Sequence, residues 1–307
     1  MASRRLGADE RIGRWASAHH GLISMEVGQR SGLSARQMRL RVRAGRLDRL
    51  GRGTYRVNGA PATPEQAAYA AVLSAGRNAV VGGLSALALF GISPAPATPR
   101  LTVPALASAR TPGAVVLRSD LDAQDRTRVG PIPCTTVARA LVEVARDLDQ
   151  ERLDELVDTA LHRRLATTSA ILGAVRRAGQ GWGRAGAGRL RTSLRPWLGA
   201  VRPGSPGEAR LLRRLEEWGF PEPVRQHPVR VGDRVVYLDV AWPALLAGLE
   251  YDGEEFHTPR NLAADEAREA ALRACGWWIG RVDRHDLAPS STRLRLELEA
   301  RLGRRAA

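Results

Sequence analysis

Residues 223–252 constrain the fold of this chain more than any other stretch. Two runs, PVRQHPVRV and RVVYLDVAW, flank Gly232-Asp233, and a third, LAGLEYDG, follows Pro243–Leu245. Apolar-polar alternation marks strands, and turns this short join antiparallel neighbours. Before them, Ser205-Pro206-Gly207-Glu208 opens a helix with Leu211, Leu212, Leu215 and Trp218 inward and Gly219 as its stop. After them come an amphipathic helix over 261–276, a strand WWIGRVD over 277–283 and a terminal helix over 290–303. The predicted order is α-β-β-β-α-β-α.

Alternation in the second run puts Val236, Leu238, Val240 and Trp242 on one face, and Tyr237, Asp239 and Ala241 on the other. In the third, Gly248, Glu250 and Asp252 share a face opposite Leu249 and Tyr251. A turn centred between Ala244 and Leu245 sets Asp239 opposite Glu250, with Cβ atoms about 5 Å apart. Carboxylates that close repel and raise a pKa unless a cation sits between them. Mg²⁺ accepts one or two carboxylates plus water and phosphate oxygens, which suits the pair. Glu208 offers a third carboxylate, but it also completes an S-x-x-E capping box with Ser205, and both roles stay open. Strand-interior acids flanked by Leu and Val are costly unless they serve some purpose.

The chain has 307 residues, 44% hydrophobic and 26% charged, enough for two or three packed domains. No run of eighteen apolar residues is present, so no membrane partner is expected. The first residues, MASRRLGADERIGRW, lack the apolar centre of an export signal, so a soluble, cytoplasmic protein is expected. Cys134 and Cys275 lie far apart and make no metal-ligand spacing. All 47 Lys+Arg residues are arginine, which excludes a lysine base, a Schiff base and a Walker lysine. Residues 1–60 carry 13 arginines against 4 acids, 61–200 carry 17 against 11, and 201–307 balance at 17 each. That asymmetry points to a polyanion partner for the front of the chain and different work for the back.

Within 1–60, DERIGRWASAHH reads as a helix, Ser24 caps a second over about 25–30, and Ser34 caps a third that ends at Gly45. Leu47–Val57 follows as two extended pieces around Gly51-Arg52-Gly53, a wing hairpin after a helix-turn-helix. Met38 and Val42 form the packing stripe of the third helix; Leu40 falls off it with no assigned place. Arg36, Gln37, Arg39 and Arg43 occupy the remaining surface, and Arg46, Arg49, Arg52 and Arg56 continue through the wing. Arginine forks bind phosphate and read guanine, and Gln37 is a candidate reader of adenine, so double-stranded DNA is the expected partner. In 61–200, helices are predicted over 64–76, 83–91, 135–146 and 150–163. Short strands are predicted at 101–103, 115–117 and 128–132, the glycine-rich 179–188 as a hinge and 201–207 as a linker.

The run GLISMEVGQRSGLSARQMRLRVRAGRLDRLGRGTYRV resembles the winged-helix head of AbiEi-type antitoxins, and PIPCTTVARALVEVA resembles the region that follows it there. That resemblance implies DNA binding and a cognate toxin protein as a further partner. The constellation D-x10-E-x-D-G-x3-H, with a helical Glu before it and D-x2-R and G-W-W-x2-R after it, carries a second resemblance. It is similar to domains related to very-short-patch-repair endonucleases, within the PD-(D/E)XK nuclease superfamily. By that likeness Asp239 and Glu250 are metal-binding and catalytic acids, Glu208 is the helical acid, and Asp252 stands where the wider superfamily has lysine. His257 matches the histidine of the repair branch, Asp265 and Arg268 the helix pair, and Arg281 the arginine of the last strand. The chemistry implied is Mg²⁺-assisted phosphodiester hydrolysis, with His257 moving a proton and Arg268 or Arg281 neutralising phosphate.

The expected fold is thus α/β and multidomain. It comprises an N-terminal winged helix-turn-helix over 1–60, an α/β middle segment over 61–200, and a C-terminal αβββαβ restriction-endonuclease-like domain over 204–307. The expected function is a DNA-binding protein with a metal-dependent DNA endonuclease domain, in a toxin-antitoxin, phage-defence or mobile-element setting. The alternative is an antitoxin-type regulator whose nuclease-like domain is silent and serves as a scaffold or homodimerisation module. A third reading is an antitoxin that works on a protein partner through the middle segment.

Overall fold

The computed structural model describes residues 7–108, 111, 113–179, 184–252 and 259–303, with side chains outside 184–185 and 259–265. The chain is of the α/β class and divides into two compact units, Met1–Thr192 and Ser193–Ala307. None of the described helices is long and apolar enough to cross a membrane. Cys134 and Cys275 are both free.

The first unit opens with α1 (Ala8–Ser17), β1 (Leu22–Ser24), α2 (Met25–Arg30), α3 (Ala35–Arg43), β2 (Leu47–Gly51) and β3 (Thr54–Val57). The strands form an antiparallel sheet in the order β1-β3-β2. Ile12, Ala16, Ile23, Val27, Leu33, Met38, Leu47 and Tyr55 make one core between helices and sheet. Ser24 caps α2 by accepting the Val27 N–H, and Ser34 caps α3. Gly28 lets α2 approach α3, since a Cβ there would lie 2.8 Å from Met38 Sδ. Helix α4 (Pro64–Ala75) then lies on this sheet: Ser74 bonds Thr54 Oγ1 at 3.0 Å and Gln66 bonds the His20 carbonyl at 2.7 Å. The expected boundary near residue 60 therefore falls inside the first unit.

The remainder of that unit is a five-stranded mixed sheet, ordered β6-β5-β4-β8-β7, with helices α5 to α9. Its strands are β4 (Val80–Val81), β5 (Arg100–Val103), β6 (Val115–Arg118), β7 (Arg126–Val129) and β8 (Ile132–Thr135). The helices are α5 (Gly83–Leu89), α6 (Val137–Val144), α7 (Gln150–His162), α8 (Thr168–Ala178) and α9 (Arg184–Leu194). The single strand expected at 128–132 is instead the hairpin β7–β8, turned at Gly130 with φ of 54°. The stretch expected to be a hinge is partly helical. Gly186 and Gly188 lie within α9, where Leu190 is fully buried and outweighs the glycines' poor helix propensity.

A polar cluster lies buried under this sheet. Glu143 accepts from the Gly83 N–H at 2.7 Å and from Thr102 Oγ1 at 2.9 Å, and Arg139 Nε donates to it at 3.3 Å. Arg139 also reaches Ser119 Oγ, and Arg177 closes on Asp125. Burial pushes the Glu143 carboxyl up, and Arg139 and the Gly83 N–H pull it back.

The second unit has the expected element order, α10 (Pro206–Glu217), β9 (Val224–Val231), β10 (Arg234–Trp242), β11 (Ala247–Tyr251), α11 (Pro259–Ala274), β12 (Trp278–Val282) and α12 (Arg293–Leu302). Its sheet runs β12-β11-β10-β9, with β12 parallel to β11 and the other pairs antiparallel. Leu211, Leu212 and Leu215 of α10 and Leu294 and Leu298 of α12 pack with Val240, Trp242 and Leu249. A second core gathers Leu238, Ala241, Val229 and Ile279 with Leu272 of α11.

The single-face alternation expected for β10 breaks at Asp239. Leu238 packs with Ala241 in one core, while Val240 and Trp242 pack in the other. The β9–β10 ladder pairs Leu238 with His227 and Val240 with Arg225 but skips the step between, where Gln226 takes φ of 48°. This irregularity of β9 thus stands across from the step at which β10 changes face.

Candidate functional site

Two places in the molecule gather the residues singled out from the sequence, one in each unit. In the first unit, α3 buries Met38 and turns Arg36, Arg39 and Arg43 outward, and Arg46, Arg49 and Arg52 are exposed through the hairpin. Among the described residues, none of these six forms an ion pair. Their neighbours do: Arg41 bonds Asp9 at 2.7 Å, and Arg56 bonds Asp48 at 2.8 Å. Arg41 holds the Asp9 carboxyl below its ordinary range. Unpaired, solvated guanidinium groups on one helix and one hairpin give a local positive surface that an anionic strand satisfies.

Gln37 belongs to the helix cap instead. Its Oε1 accepts the Ser34 N–H at 2.8 Å while its own N–H goes to Ser34 Oγ at 3.2 Å, a reciprocal capping box. The S-x-x-Q spacing carried that signal. Leu40 is half exposed on the outer side of α3.

In the second unit, the turn Pro243–Leu245 and the pairing of Val240 with Leu249 put Asp239 opposite Glu250 at the next step of the register. The backbone ladder ends there, and the Asp239 side chain replaces it. Asp239 Oδ2 accepts the Tyr251 N–H at 2.9 Å, and Oδ1 accepts from Gln226 Nε2 at 3.1 Å. Glu250 meets Arg268 of α11: Nη1 donates to Oε2 at 2.8 Å, and Nη2 lies 2.7 Å from Oε1. That second contact is an ion pair outside hydrogen-bond geometry, so Oε1 is buried without a hydrogen bond. Arg268 Nη2 also donates to the Tyr237 carbonyl at 2.9 Å. Burial raises the Glu250 carboxyl above its usual range; Arg268 opposes the rise and the charge of Asp239 adds to it.

Asp252 and Arg281 lie at the same end of the sheet. Arg281 reaches Asp252 Oδ2 and Glu269 Oε2, each at 3.4 Å. Burial disfavours its charge, but Asp252, Glu269 and Glu250 outweigh that and raise its pKa. Arg268, Arg281 and Asp252 each keep about a third of their side chain in solvent, at 34%, 37% and 31%, so the cluster opens outward. Glu269 and Gln226 were not anticipated. Glu269 had no signal beyond following Arg268 in the helix, and Gln226 acts through a backbone irregularity with no sequence mark.

Glu208 displays the capping alternative. Its N–H goes to Ser205 Oγ at 3.1 Å and its Oε2 accepts the Gly204 N–H at 2.9 Å. A methyl group at Gly207 would overlap the Tyr251 ring, so α10 starts hard against the end of β11. His257 lies outside the described residues, as does the side chain of Asp265. Among the described residues, no three acids, histidines or cysteines converge as a ready metal cage. No protein-family model matches the chain, and no curated protein matches it.

Proposed function

We propose that this chain is a double-stranded-DNA-binding protein of the cytoplasm, with a winged-helix head over residues 1–60. Its C-terminal unit is of the PD-(D/E)XK type and cuts phosphodiester bonds with Mg²⁺. What supports binding most is the run of exposed arginines without acidic partners on α3 and the following hairpin, beside Arg41 and Arg56, which have them. Within α3 itself no acidic residue stands among the arginines.

The hydrolytic half rests on Asp239 and Glu250 meeting where the ladder between β10 and β11 ends. Their oxygens are hard donors suited to Mg²⁺, and Glu250 Oε1 is a buried oxygen without a hydrogen bond beside a second carboxylate. Asp239 and Glu250 would hold the ion, and Glu208 stays with the helix cap. The ion, when bound, supplies positive charge against the phosphate and a lower pKa for attacking water. Arg281, tethered to Asp252 and Glu269, is oriented to neutralise a phosphate oxygen. Arg268 blocks Glu250 and would have to release it, which makes the described state a closed one.

The same contact favours a second reading, a regulator of the AbiEi-antitoxin kind with a silent nuclease-like unit, in which Arg268 permanently replaces the ion. Binding is tested by titrating a labelled duplex with the full chain at rising salt. The expected outcome is affinity that falls steeply with salt; no retained duplex at low salt would remove the head from the proposal. Hydrolysis is tested by Mg²⁺-dependent nicking of supercoiled plasmid. Inactivity with binding retained would support the regulator.

A further inference from the structure

Leu40 is out of place by the logic of its own helix. Met38 is fully buried and Val42 packs beside it, whereas Leu40 is 51% exposed on the other side. At 100° per residue, Arg36, Arg39, Leu40 and Arg43 fall within one arc of about 100°, facing away from the core. A lone exposed leucine needs no explanation. Here it sits inside a cluster of guanidinium groups that form no ion pair among the described residues, on a helix face that is otherwise basic.

An apolar side chain framed by arginines fits one surface well. The major groove of duplex DNA carries phosphates along both rims and, on its floor, the C5-methyl group of each thymine as its main apolar feature. Arginines on either side of Leu40 can take phosphate or guanine while the leucine meets a methyl group. We infer that Leu40 is a specificity-determining residue that packs against a thymine C5-methyl in the major groove. The inference rests on the DNA-binding reading of the head and deepens it. Leu40 supplies no charge, so its contribution appears in base preference and not in salt dependence.

The test begins with selection of preferred duplexes from a random pool by the full chain. Each thymine of the selected site is then replaced, one at a time, by deoxyuridine, which lacks only the methyl group. The expected result is one position where deoxyuridine weakens wild-type binding about fourfold, the worth of one buried methyl. Leu40→Ala is expected to bind thymine and deoxyuridine there equally, with an unchanged salt slope. Because Leu40 is exposed and alanine is the better helix former, the variant should keep its fold, checked by circular dichroism.

Methyl-independent wild-type binding at every position overturns the inference, as does a methyl effect of equal size in Leu40→Ala. A concentration-dependent dimer that Leu40→Ala abolishes, together with methyl-independent binding, would assign Leu40 to a second copy and overturn it as well. Failure of wild type to retain any duplex would instead sink the DNA-binding reading itself.

Discussion

Arg268 faces Glu250 with both terminal guanidinium nitrogens, at 2.8 Å and 2.7 Å, and a third contact ties it to the Tyr237 carbonyl. Burial raises the pKa of this carboxyl, one side chain from α11 opposes the rise, and the charge of Asp239 adds to it. Within this unit the carboxylate pair is faced by an arginine from α11.

Removing Arg268 should cost stability in a pH-dependent way. Glu250 has a folded pKa raised above 4.5, so its contribution is fully present below that value and fades as pH rises through the raised one. Without Arg268 the pKa rises further and the fade deepens. Arg268→Ala is expected to lose about 1.5–3 kcal/mol at neutral pH, toward the lower end because Arg268 is partly solvated. Urea midpoints should show the loss shrinking in acid, and a pH-independent loss would exclude Glu250 as the cause.

On α3, arginines that look alike in sequence should differ in binding. Arg39→Ala and Arg43→Ala are each expected to weaken duplex binding and lower the salt slope by about 1. Arg41→Ala, which removes a residue already paired with Asp9, should leave the slope unchanged. Equal slopes for all three would show that ion pairing does not select the contacts.

Gln37→Ala should act on the helix and leave base choice alone. Loss of the reciprocal bond to Ser34 is expected to destabilise the chain by about 0.5–1 kcal/mol, with base preference intact. Thermal melts and repeat selection on random duplexes check both halves. A changed preference at an adenine would restore Gln37 as a reader.

In the first unit, Glu143 and Arg139 are mutually dependent. Arg139→Ala strands a buried carboxylate and is expected to cost about 3–5 kcal/mol. Glu143 has a raised pKa, so acid should relieve part of that loss in urea titrations.

What could be read from the sequence divides along physical lines. The Asp239–Glu250 register was legible because the turn at Pro243–Leu245 sets strand pairing by counting alone. The face switch at Asp239 was not, because the apolar-polar alternation of the sequence looks regular there and the irregular Gln226 backbone across from it has no sequence mark. Nor was the Arg268–Glu250 pair, which joins a helix to a strand 18 residues away. Helix α3 was plain from its Ser34 cap, and the S-x-x-Q spacing also marked the local box that occupies Gln37, a residue expected to read adenine; only tertiary packing tells that Leu40 is left outside. Helix α9 was not legible because its glycines weaken the helical signal.

Whether the acidic pair works or only folds is decided by supercoiled plasmid incubated with Mg²⁺ and wild type, Asp239→Asn or Arg268→Ala, with duplex retention measured in parallel. Nicking by wild type that Asp239→Asn abolishes while both bind DNA equally is the predicted result, with Arg268→Ala needing less Mg²⁺ than wild type. Equal inactivity of all three proteins with binding retained, or nicking that survives Asp239→Asn, would contradict it.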